Sequence, residues 1–173
     1  MIFKVLLLIL TIANCCTLNQ IQKKTRILRG NYKDVLNFQQ INLISRYNTY
    51  FNGGQMNSQL NRDAIYYVNS AIGYTYCSLH NSIEITLFKN YELNTVVVEI
   101  WDRLVDVHYD FEIYISFLEQ EKKIYENASF AGVIKIRFKD QLVDKIRIYN
   151  RGGSNYNGFL SIIKAQAFYH RYN

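Results

Sequence analysis

SIEITLFKNYELNTVVVEIW, residues 82–101, decides the reading of this chain. Ile83-Glu84-Ile85-Thr86-Leu87 alternates apolar and polar residues, which places Ile83, Ile85 and Leu87 on one face of a strand. Asn90 to Asn94 reads as a turn. Thr95-Val96-Val97-Val98-Glu99-Ile100-Trp101 follows, β-branched and ending on an aromatic, as strand-forming sequence does. The same period of two returns at Phe111 to Ser116, Val133 to Phe138 and Lys145 to Tyr149, and the apolar run from Phe159 supplies a closing strand. Several short strands separated by turn signals predict an all-β sandwich or barrel. Leu118 to Tyr125, rich in Glu and Lys, reads as a helix-like, solvated connection.

Ahead of this body the pattern is different. Val5 to Ala13 is an apolar run behind Lys4 and stops at Asn14, short of the about 20 residues a spanning helix needs. Residues 1–16 therefore read as a secretory signal peptide, with a short uncleaved hydrophobic anchor as the alternative. Residues 17–42 read as a linker or strap, polar and basic from about Thr17 to Asn31, with Tyr32 to Ile44 read as a short helix or irregular turn. Residues 43–170 form the folded body. The expected location is secreted or lumenal, or membrane-associated if the N-terminal segment stays attached.

The formal charge of +6 raises an anionic partner. The basic residues are scattered, and their densest run, Lys23-Lys24-Thr25-Arg26, falls in the strap, so no nucleic-acid function is expected. Cys77 is the one thiol of the body, and its aromatic neighbours point to a buried, inert side chain. Asn127-Ala128-Ser129 is an acceptor pattern for N-glycosylation, placed in an expected loop.

Catalysis finds no constellation. His80, His108 and His170 are isolated and lack metal-ligand spacing, Cys77 has no adjacent base, and no carboxylates pair for acid–base work. The reading is of no enzyme, no cofactor and no metal.

Gly73 to Leu79, then Ile83 to Leu87, then Ile100-Trp101-Asp102 resembles the discoidin (coagulation factor 5/8 C-terminal type) domain, more narrowly the version in BTB/kelch-type proteins. Tyr109 leading into Glu112 to Ser116, and Ile146-Arg147-Ile148 followed by an Asn-rich loop, continue the likeness. It spans roughly residues 43–169. Val107 stands where the family carries an arginine, and Asn52-Gly53-Gly54 replaces a glycine-aspartate step, which removes the basis for a calcium site there.

The resemblance implies a discoidin/galactose-binding-like jelly-roll β-sandwich that presents loops to a ligand. Arg46 to Gln59 and Asn150 to Gly158 are then expected at one end. Tyr47, Tyr50, Phe51 and Tyr156 would offer ring faces, and Asn52, Arg151 and Asn155 donors and acceptors. The same residues also suit capping of the sandwich end and tight turns. Trp101 is expected in the core, Asp102 to tie down the following loop, and Arg147 to pair with an acid such as Asp102 or Asp106. The function these readings support is a non-catalytic module for glycan or protein. The alternative is an accessory subunit of a large assembly, with attachment to a membrane surface ranked behind both.

Overall fold

The computed structural model describes residues 33–37, 42–45, 47–48, 73–102 and 106–171. The hydrophobic N-terminal segment, most of the strap, and Tyr50, Phe51 and Asn52 lie outside these residues. Eight strands follow in order: β1 Leu43–Ile44, β2 Tyr47–Asn48, β3 Thr75–Cys77, β4 Ser82–Ile100, β5 Tyr109–Phe117, β6 Gln120–Phe130, β7 Val133–Ser154 and β8 Leu160–Phe168. All pairings are antiparallel.

Two long strands build both layers of the sandwich. The first half of β4 pairs with β1 and with the second half of β7, which continues through β5 to β6. The second half of β4 pairs with the first half of β7 and with β8, which continues through β3 to β2. Ser82 lies opposite Tyr149, while at the other end of β4 the Ile100 amide bonds Gly132 and the Trp101 amide bonds Ser161. Asn150 in turn bonds Gly158, close in sequence to Ser161, so β4 begins and finishes at the same end of the molecule. β4 and β7 are therefore folded over the opposite end. The fold falls at register shifts between Thr86 and Tyr91 and between Leu93 and Thr95. The expected turn at Asn90 to Asn94 is thus a crease inside a continuous hydrogen-bonded ribbon. Asn94, with no solvent exposure, holds it by donating to Asp140 and to the His170 carbonyl.

Alternation does its predicted work in the core. Ile83, Ile85, Val96, Val98, Phe111 and Ile113 are wholly buried between the layers, each such side chain contributing about 2 kcal/mol. Trp101 is 5% exposed and packs 6.0 Å from Tyr74. Cys77 is buried, its sulfur 3.6 Å from the Asn81 carbonyl.

Two local expectations are corrected. Leu118 to Tyr125 is not helical: β5 and β6 form a hairpin whose turn residues, Leu118 and Glu119, both take positive φ. Asn127 sits in β6 and not in a loop. Phe111 faces Asn127 while Tyr109 faces Phe130, so Ala128 and Ser129 bulge, and the Ser129 amide bonds the Asn127 side chain. The turn expected within Tyr32 to Ile44 is found at Val35-Leu36, and it is seated against the body. Val35 and Leu36 have no exposure, the Val35 amide bonds Ala167, and the Asp34 carboxylate accepts the Ala167 amide.

Candidate functional site

Four connections meet at the end where β4 starts and finishes: Ser78 to Asn81, Asp102 to His108 (of which 103–105 are outside the described residues), Ala131-Gly132, and Asn155 to Phe159. Asn150 organises them from a position with no exposure. Its amide nitrogen donates to the Cys77 and Gly158 carbonyls, and its side-chain oxygen accepts the Gly153 amide at 2.7 Å. Its own backbone pairs with Asn81 and His80. One asparagine thereby satisfies buried groups from β3, β7 and the loop before β8.

The Asn155 to Phe159 loop is tied down a second time by its own polar residues. Ser154 and Asn157 bond each other through backbone and side chain, and the Asn157 side-chain oxygen also accepts the Phe159 amide. Asn155 couples the loop to the β4–β5 connection. Its amide bonds the His108 carbonyl, its side chain accepts the His108 amide at 2.8 Å, and its Nδ2 donates to the Asp106 carbonyl at 2.6 Å.

What this scaffold holds up to solvent is apolar. Tyr156 is 66% exposed, Phe159 43% and Leu79 41%. The Phe159 ring meets Tyr76 edge-on at 5.7 Å, and Leu79 lies beside Gly158. Next to them a shallow cleft of about 380 Å³ is lined by His108, Asp110, Ser129, Gly152, Ser154 and Asn155. Fixed aromatic faces beside side-chain amides, hydroxyls and an imidazole suit a ligand with apolar ring faces and many hydroxyls.

The sequence-derived residues divide. Asn155 and Tyr156 are brought together at this end. Tyr47 lies opposite Tyr76, and only its backbone is described. Arg151 lies beside the cleft with its guanidinium engaged by Asp110, one of the lining residues, at 2.6 Å, by Glu126, and by Glu112 at 3.6 Å. Asp102 is exposed at the rim. Arg147 pairs with neither Asp102 nor Asp106. The strand register places it opposite Tyr114, whose ring it covers at 4.1 Å, and it bonds Glu121 through two nitrogens. Among the described residues no group of three or more His, Cys, Asp or Glu could hold a metal ion. Sequence reasoning passed over His108, Leu79 and Phe159. Contacts between distant segments, Asn155 with His108, Leu79 with Gly158 and Tyr76 with Phe159, mark them as parts of one surface.

No protein-family model matches the chain, and no curated protein matches it. Solved structures do. The family 32 carbohydrate-binding module of Clostridium perfringens NanJ, in complex with galactose, superimposes with a TM-score of 0.56 at 14% identity, over 79% of this chain and 98% of that one. The family 32 module of Streptococcus pneumoniae EndoD gives 0.54 at 13% identity, over 79% and 99%. SpGH29 gives 0.60 at 10% identity over 81% of this chain, which matches 28% of that larger one. The chain has the discoidin/galactose-binding-like fold shared by these carbohydrate-binding modules.

Proposed function

We propose that this chain is a non-catalytic, exported module that recognises a glycan through the end of the sandwich carrying Tyr156. The observation that carries the reading is the way Tyr156 is displayed. Two-thirds of its surface is open to solvent on a loop pinned at Asn155 and Asn157, so little ordering entropy remains to be lost when a sugar ring stacks on it. Asn155, Ser154 and His108 stand beside it as hydrogen-bonding groups for hydroxyls. That the fold's solved neighbours are carbohydrate-binding modules supports this choice over a protein ligand.

A glycan array probed with the secreted chain tests it. Tyr156→Ala is expected to abolish the signal while leaving the melting temperature within about 2 °C, since its ring is largely exposed; Phe159→Ala is expected to abolish it with a larger loss of stability, since that ring is more than half buried and packs on Tyr76. Binding that survives both substitutions overturns the loop-end assignment. Sequencing the N-terminus of the secreted product tests export: a start between Asn14 and Leu18 is expected, and retention of Met1 inside the cell overturns it.

A further inference from the structure

The two layers end on edge strands of different electrical character. On β6 the bases are interleaved with acids, and Lys123 is bridged to both Glu112 and Glu126. Another edge, in the opposite layer, is the first half of β7. Among the described residues, no strand pairs with residues 133–137 except β4. Ile134, Ile136 and Phe138 turn toward the core, and Val133, Lys135, Arg137 and Lys139 turn out and are exposed. No acid occurs between Val133 and Lys139. Inward of the row the register places Glu99 beside Val133, where Lys164 on β8 faces it from the other side, Val97 beside Lys135, and Thr95 then Phe168 beside Arg137. The Lys135 ammonium lies 5.9 Å above the Phe168 ring.

We propose that this edge binds a linear anionic glycan, sulfated or uronic, at a surface separate from the loop end. Alternate residues of a strand repeat at about 6.8 Å, so Lys135 and Arg137 stand one such repeat apart, and Lys139 follows them into the crease of β7, a short run of three cations along the edge that matches a chain carrying closely spaced charges. The backbone of an edge strand adds outward N–H groups between the cations as donors to sulfate or carboxylate. Phe168 and Val97, just inside, accept the apolar face of a sugar ring. Charged side chains also guard edges against strand pairing. That role is met on β6 with mixed charges, so it does not account for a row of one sign. A bilayer is disfavoured because the ridge carries one exposed apolar residue, Val133, as an anchor.

Titration with heparin and with polygalacturonate at roughly 0.1 M salt tests the proposal. The triple variant Lys135→Gln, Arg137→Gln, Lys139→Gln should lose about tenfold or more in affinity, the order expected for three exposed ion contacts. A control triple at exposed positions, Lys33→Gln, Lys89→Gln, Lys122→Gln, removes the same charge and should change it less than about twofold. Equal losses in the two triples, or no binding by the parent chain, overturn the proposal. So does binding at equal or greater strength to phosphatidylserine vesicles or single-stranded DNA. Tyr156→Ala should leave this binding intact, so its result is independent of the loop-end reading.

Discussion

The side-chain amide of Asn150 donates to the carbonyl of Gly158 across 3.0 Å, from a position with no solvent exposure. That bond joins the end of β7 to the loop that displays Tyr156. The shape of the candidate site therefore depends on a residue that offers no surface to solvent.

Asn150→Ala leaves the Cys77 and Gly158 carbonyls and the Gly153 amide without their partner in a dry site. The expected cost is about 3 kcal/mol, read as a lowered urea midpoint. Glycan binding should fall even at temperatures where the variant is fully folded, because the loop loses its anchor. An unchanged midpoint would show that the three groups find other partners.

Gly153 has φ of +75°, and a Cβ there would stand 2.9 Å from the Gly158 Cα. Backbone has nowhere to yield at such a contact. Gly153→Ala is expected to cost about 2 kcal/mol or more, through the left-handed conformation and the clash together. Thermal unfolding of the purified variant measures it.

Acid should weaken the fold through Glu112. The Tyr114 hydroxyl, and after it Lys123, holds the Glu112 carboxylate below its ordinary value of 4.5. A depressed carboxylate contributes stability that is present above its unfolded value and is lost as pH falls through the folded one. Urea midpoints should therefore drop below about pH 4.5. Glu112→Gln should flatten that slope while lowering stability at neutral pH, and a slope unchanged by the substitution would assign it to other acids.

Arg147 lies over the Tyr114 ring and grips Glu121 with two nitrogens, at 2.7 and 2.5 Å. Lysine reproduces neither the fork nor the planar stacking. Arg147→Lys is expected to cost about 1 kcal/mol, since both partners are still partly solvated. A double-mutant cycle with Glu121→Gln isolates the pair.

Legibility in the sequence followed burial. Ile83 to Leu87 and Phe111 to Ser116 are half-buried strands, and the alternation that betrays them is the same alternation that packs them. β6 hid for the opposite reason. As an edge strand its Gln120 to Lys123 run is exposed, so no apolar period survives, and Glu-Lys composition favours a helix by local propensity. Its hairpin turn gave no warning either, because Leu118 and Glu119 take the positive φ angles that Asn and Gly usually announce. At the candidate site the Asn- and Gly-rich loop was visible as a loop, and Tyr156 as its aromatic. His108 was not, because its place beside Asn155 is made by two segments 47 residues apart. Arg151 has loop-like neighbours in sequence but lies in β7: a strand register, invisible locally, delivers it to three acids, of which Asp110 lines the cleft.

Because β4 and β7 each belong to both layers, neither layer can peel away and leave the other standing. Strain applied to one is carried by covalent chain into its partner, so opening short of complete melting is confined to strands that belong to one layer alone, such as β1, β2 and β6. The body is in effect a rigid plinth, stitched through its whole thickness, and what it carries at one end is held in place by the entire molecule.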